Sequence, residues 1–152
     1  MKYTKVENPK TGRVDLANEI IRIISQHGRR FFSLSAERRE PLPESEDRIS
    51  RFELDARGRI WFIDKWSQRK IYTAYRYRWR HFSEGGTLRE LVNSLRDYIR
   101  TGEGLGVLSL RLGPFPEWLC GGDPWGYGAD MGTMRAKVIE AITAAGKGVR
   151  AS

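Results

Sequence analysis

The run RISRFELDARGRIWFID, residues 48–64, leaves few folds open to this chain. Its first half alternates, with Ser50, Phe52 and Leu54 opposite Ile49, Arg51 and Glu53, which is the period of a strand with one face turned inward. Asp55, Ala56, Arg57 and Gly58 supply a turn, and RIWFID follows as a second strand, so the two pair as a hairpin. Both faces of RIWFID are apolar, which places that strand at the centre of a sheet. After the loop KWSQR, the stretch KIYTAYRYRWRHF, residues 70–82, reads as the next strand. It sends Ile71, Thr73, Tyr75, Tyr77 and Trp79 to one face and Lys70, Tyr72, Ala74, Arg76, Arg78 and Arg80 to the other. RRFFSLS, residues 29–35, reads as a short strand ahead of the hairpin. The expectation is an antiparallel meander of three to four strands between Arg29 and Trp79.

Three helices surround it in sequence. TLRELVNSLRDYIRTG starts with Thr87 and Glu90 in capping-box spacing, stops at Gly102, and carries Leu88, Leu91, Val92, Leu95, Tyr98 and Ile99 on one stripe. RVDLANEIIRIISQHG predicts a helix with Asp15 as N-cap, Leu16, Ile20, Ile23, Ile24 and His27 inward, and Gly28 as its stop. ADMGTMRAKVIEAITAAG predicts the last, with Met131, Met134, Val138, Ala141, Ile142 and Ala145 inward and Gly146 as its stop. LGVLSLRLG offers one further strand, and PFPEWLCGGDPWGYG is too rich in Gly and Pro for a regular element, so it reads as a long ordered loop. The acidic, proline-bearing segment Glu37 to Asp47 reads as an exposed loop. The whole is expected to be one α+β domain over residues 1–152, with residues 1–13 and 147–152 as loose ends.

Charge separates along this chain. There are 27 Lys and Arg against 19 Asp and Glu, a net charge of +8. Between Lys65 and His81 stand six basic residues and no acid. A solvated surface ordinarily mixes signs, so an unbroken basic run biases the reading toward a polyanionic partner. On a strand, Arg76, Arg78 and Arg80 recur about every 6.6–7 Å, close to the repeat of phosphates on an extended single strand. Lys65, Arg69 and Lys70 extend the positive surface, and Tyr72 offers a ring for base stacking or a cation–π contact. The plainer account of the same pattern is a sheet face covered by long side chains whose stems shield apolar surface while their heads stay wet.

Other chemistries find less support. The lone Cys120 excludes an internal disulfide and the usual cysteine-rich zinc site, and nothing local supplies a base to make it a nucleophile. His27 and His81 have no ligand or catalytic spacing to each other or to Asp123. TGEGLG follows a helix, whereas a dinucleotide fingerprint follows a strand and opens a helix. No cofactor, metal or catalytic set is therefore expected, and an enzyme ranks last. No apolar run approaches the roughly 18 residues of a membrane span, and no export signal opens the chain, so a cytoplasmic address and no membrane partner are expected. The loop WLCGGDPWGYGAD sets Trp118, Trp125 and Tyr127 among four glycines and a proline. It reads either as a plug for the end of the core or as a recognition loop with these rings as anchors for a protein partner.

The order GRRFF, GRIWFID, FSEGGTLRELV with DYIRTG, and WLCGGDPWGYG resembles small uncharacterised proteins of bacteria, their phages and mobile elements, over most of His27 to Gly128. The resemblance implies a prokaryotic or phage setting but no activity, cofactor or site residue. Two functions follow as expectations. The first is a small accessory protein that binds nucleic acid, DNA or RNA, chiefly by phosphate contacts on the arginine-bearing sheet face. The alternative is an effector that binds and inhibits a host protein, such as a defence factor, through the aromatic glycine loop.

Overall fold

The computed structural model describes residues 9–26, 49–65, 67–73, 79, 82, 86–106, 110, 112–113, 115–122 and 130–151. In chain order they form α1 (Lys10–Gln26), β1 (Arg51–Leu54), β2 (Ile60–Asp64), β3 (Arg69–Tyr72), α2 (Gly86–Thr101) and α3 (Asp130–Ala151). The strands make an antiparallel sheet in the order β1-β2-β3, so the α+β meander and the central place of RIWFID both hold. The turn between β1 and β2 follows from its residues. The Gly58 N–H donates to the Asp55 carbonyl at 3.0 Å, and Gly58 takes the left-handed conformation, φ 78°, that this turn requires at its last position.

One face of the sheet is core. Phe52 pairs with Phe62 in register, their rings 5.1 Å apart edge to face, and Ile60 and Ile71 are buried beside them. Helices α1 and α2 close over this face, and α3 packs on α1. The predicted stripes are the buried ones: Leu16, Ile20, Ile23 and Ile24 on α1, Leu91, Val92, Leu95 and Ile99 on α2, and Met131, Met134 and Val138 on α3. α2 ends where expected, with Gly102 at φ 81° donating its N–H to the Tyr98 carbonyl at 2.7 Å.

Several boundaries differ from the sequence reading. α1 begins at Lys10, so Asp15 is an exposed residue in the helix interior and not its cap. Tertiary contacts extend the helix: Lys10 Nζ donates to the Gly58 carbonyl at 3.0 Å, and Arg13 Nη1 donates to the Ile99 carbonyl at 3.1 Å, where the C-terminus of α2 leaves carbonyls unpaired. α3 runs past Gly146 to Ala151, since glycine weakens a helix by about 1 kcal/mol without breaking its hydrogen-bond ladder. α2 opens at Gly86, one residue before Thr87, whose side chain lies outside the described residues.

The third strand also departs from expectation. It ends at Tyr72, and Phe82 donates its N–H to the Trp79 carbonyl at 3.2 Å in a turn. On a strand, Trp79 and Phe82 would point to opposite faces. Both rings instead reach Phe62, at 6.4 and 5.5 Å, and the turn is what brings them to the same side. Among the described residues of 105–113 no strand forms; Leu110 and Leu112 are buried from irregular backbone. Within PFPEWLCGGDPWGYG the described part holds a single 3-10 turn, Cys120–Gly122. The strand expected at 29–35 and the acidic loop at 37–47 lie outside the described residues.

Helix and sheet are joined by one side chain. Asn18 Nδ2 donates to the Phe52 carbonyl at 3.0 Å, and its Oδ1 accepts the Phe52 N–H at 2.7 Å. β1 pairs with β2 on its other side, so Asn18 supplies both bonds that a further strand would have made at this residue. Asn18→Leu keeps the branched heavy-atom shape and removes both hydrogen-bonding groups. It is expected to cost about 1–3 kcal/mol in chemical denaturation, the penalty of orphaned buried polar groups.

Candidate nucleic-acid interface

The sheet face opposite the core holds Trp61 and Tyr72, which are register partners on β2 and β3 and pack in a tilted contact, ring centroids 4.9 Å apart and planes inclined at 36°. Cations border this pair on both sides. Lys70 Nζ lies 5.2 Å from the Trp61 ring centre, and the Arg59 guanidinium lies 6.0 Å from Trp61 and 5.7 Å from Tyr72. Alternation places them so, because Lys70 and Tyr72 are two residues apart on one strand while Ile71 between them is buried.

Asp55 sets the position of Arg59 and Trp61. Its Oδ1 accepts the backbone N–H groups of Arg57 and Arg59, each at 2.9 Å. Its Oδ2 accepts Arg59 Nε at 2.7 Å and the Trp61 indole N–H at 3.0 Å. The Trp61 indole bond, together with the backbone and guanidinium donors of Arg59 and the backbone N–H of Arg57, holds the Asp55 carboxyl well below the usual carboxylate range, against a partial desolvation that pushes the other way.

Beyond Tyr72 the face opens into a cleft of about 280 Å³ between the start of α1, the β1–β2 turn and the end of α2. Lys10, Arg57, Arg59, Arg96 and Arg100 line it along with Tyr72, and among the described residues its lining contains no carboxylate. Asp55 holds Arg59 from outside the cleft, and Asp97 lies 3.2 Å from Arg96, which is buried. Arg57 and Arg100 are exposed, and among the described residues no carboxylate pairs with either guanidinium. Arg96 and Arg100 stand one helical turn apart, a like-charge spacing that costs a few tenths of a kcal/mol on an isolated helix.

The sequence-predicted residues divide between two places. Lys70 and Tyr72 are exposed on the aromatic face as expected, although Glu53 arrives from β1 to within 4.0 Å of Lys70 and also holds Arg51 at 2.9 Å. Lys65 and Arg69 lie at the opposite, β2–β3 end of the hairpin, about 13 Å from the cleft by strand rise. There Lys65 donates its backbone N–H to Ser50 Oγ at 2.9 Å, and Arg69 is exposed opposite Asp64. Trp118 is 83% exposed on the turn that leads into the 3-10 segment. Arg76, Arg78, Arg80, Trp125, Tyr127, His27, His81 and Asp123 lie outside the described residues, as does the side chain of Cys120. Among the described residues no three His, Cys, Asp or Glu side chains are grouped to hold a metal, and no helix is long and apolar enough to cross a membrane.

The cleft residues Lys10, Arg57, Arg59, Arg96 and Arg100 were not singled out by sequence reasoning. The available signals were the two arginines flanking Gly58 and the arginine repeat at a four-residue spacing beside the buried stripe of α2.

A chain that puts an α+β meander under such a face matches the YoqU family model over residues 8–139, and it belongs to that family, which is phage-associated. Neither a curated protein nor a solved structure matches it.

Asp55→Asn keeps the shape of the turn hub and removes its charge. A carboxyl held low in the folded state contributes stability that is present above its unfolded value of about 3.9 and is lost as pH falls toward the folded value. The variant is therefore expected to melt below the native protein at neutral pH, and the gap is expected to narrow as pH drops from about 5 to about 2. Thermal melts across that range check it. A gap that stays constant would mean that the charge on Asp55 does not stabilise the turn.

Proposed function

We propose that the protein binds single-stranded nucleic acid on the outer face of its sheet, chiefly through phosphate contacts, as a small basic accessory protein of a phage or related element acting in the host cytoplasm. The observation that supports this is the interleaving of Arg59 and Lys70 with the packed Trp61–Tyr72 pair on one face of the sheet. Cations that track a backbone beside rings that accept any base make a sequence-tolerant single-strand surface. Lys70 has an exposed carboxylate partner in Glu53, and such a pair contributes little, so a phosphate can take the place of Glu53 at small cost. Arg76, Arg78 and Arg80 continue the basic alternation in sequence and are assigned to the same track.

With four phosphate contacts, from Lys70, Arg76, Arg78 and Arg80, the logarithm of affinity for an oligonucleotide is expected to fall with log salt at a slope of about −2.8. Lys70→Gln should lower that slope by about 0.7, similarly for unrelated sequences. Tyr72→Ala should weaken binding by about 1–3 kcal/mol and leave the slope where it was, since it removes stacking and no charge. Fluorescence anisotropy titrations over a salt series measure both. If replacing all four cations by Gln leaves affinity and slope unchanged, this face is only a solvated sheet surface.

A second reading rests on Trp118, a large apolar ring left 83% exposed beside the glycine turn. In this reading the loop of Trp118, Trp125 and Tyr127 anchors a host protein and inhibits it, for example within a defence system. Trp118→Ala is then expected to abolish capture of that partner at an unchanged melting temperature. Capture that survives the substitution removes Trp118 as an anchor.

A further inference from the structure

We infer that the cleft beside Tyr72 is a terminal-phosphate site, which receives the phosphorylated end of the strand whose adjoining base stacks on Tyr72. The inference rests on the nucleic-acid reading of the sheet face and names what the end of that face takes.

Charge points to a dianion. Among the described residues the lining has five cations and no carboxylate, while Asp55 is committed to Arg59 and Asp97 touches Arg96 from outside it. The positive charge left for a ligand rests on Arg57 and Arg100 at the mouth, which have no acidic partner among the described residues. A phosphodiester carries one negative charge, whereas a phosphomonoester carries close to two above about pH 6. In a concave site with low-dielectric walls the second charge is worth more than it is on an open surface.

Depth and size point the same way. Arg96 is only 4% exposed and lies below the exposed Arg57 and Arg100, so a ligand must present its charge at a tip to come near it. A continuous backbone has a sugar on each side of every phosphate. At about 280 Å³ the cleft falls just below the usual range of small-molecule pockets, which suits one phosphate with its sugar and leaves no room for a folded-in chain. Tyr72 is at the mouth, 45% exposed and backed by Trp61, so a base stacked there continues onto the aromatic face. The floor beside it is held still, because Thr73 donates its hydroxyl to the Ile60 carbonyl at 2.7 Å and Lys10 bonds the Gly58 carbonyl.

The test compares short oligothymidylates of one length carrying a 5′-hydroxyl, a 5′-phosphate or a 3′-phosphate, titrated into the full chain at about pH 8, with adenosine monophosphate as a competitor. One of the two phosphorylated strands is expected to bind at least about tenfold more tightly than the hydroxyl strand. That preference should collapse to within about twofold in Arg100→Gln and in Arg57→Gln, both exposed positions whose folding is verified by melting. Lys70→Gln, on the sheet face, should weaken all three strands and keep the preference. Equal binding of the three strands by the native protein overturns the terminal-phosphate site while leaving the sheet-face reading intact. Failure of every strand to bind overturns both. Adenosine monophosphate binding more tightly than the phosphorylated strand assigns the cleft to free nucleotides and overturns the strand-end assignment.

Discussion

The bidentate bond between Asn18 and the backbone of Phe52 is the joint on which the rest of the described structure turns. An edge strand left unpaired is both a cost in buried polar groups and an invitation to pair with another chain, and among the described residues no further strand is laid against β1. By matching one N–H and one C=O with a side-chain amide, α1 occupies the edge of β1 at that residue and cannot slide along it without losing both bonds. Fixing α1 there lays Ile20, Ile21 and Ile24 on the core and carries its first turn to the β1–β2 loop, where Lys10 meets Gly58. Arg13, one turn further on, reaches the Ile99 carbonyl in the last turn of α2. A single amide thus sets the relation between the sheet, the first helix and one wall of the cleft.

Asp55 does for the outer face what Asn18 does for the core. The four donors around its carboxylate fix the turn backbone, the Arg59 guanidinium and the Trp61 indole together, so a cation and a ring acquire a shared orientation. Long arginine side chains lose rotamer freedom when they bind, and one already held loses less. The geometry that holds the turn would, on the proposed reading, also prepare the aromatic face for a ligand, so substitution at Asp55 is expected to register in both.

Elements with a strong local period were legible. The hairpin, the central position of RIWFID, the buried stripes of all three helices and the stop at Gly102 follow from alternation, helical spacing and glycine chemistry, all of which act over a few residues. Boundaries set by distant partners were not: the start of α1 is decided by Lys10 and Arg13 finding carbonyls 48 and 86 residues away. The turn at Trp79 and Phe82 is decided by a shared neighbour, Phe62, that no local pattern names. The site divides in the same way. Lys70 and Tyr72 could be read from one strand, but the cleft draws its cations from a helix start, a turn and a helix end, and only the fold brings those together.

The placement of the carboxylates is what favours the proposed binding surface over an indifferent basic one. Where cations serve only solubility, acids are expected to be interspersed at the same depth. Here Asp55 and Asp97 pair with Arg59 and Arg96 from outside the cleft lining, while the mouth residues Arg57 and Arg100 have no acidic partner among the described residues. Neutralising the inner charges limits the repulsion that five converging cations would impose on the fold, and the remaining like-charge spacing between Arg96 and Arg100 costs only a few tenths of a kcal/mol. On the reading proposed above, a single bound phosphate would relieve that residual repulsion and meet the two mouth arginines at once. The stability lost to repulsion in the free protein would then be recovered as affinity for an anion, and most fully for one that carries two charges.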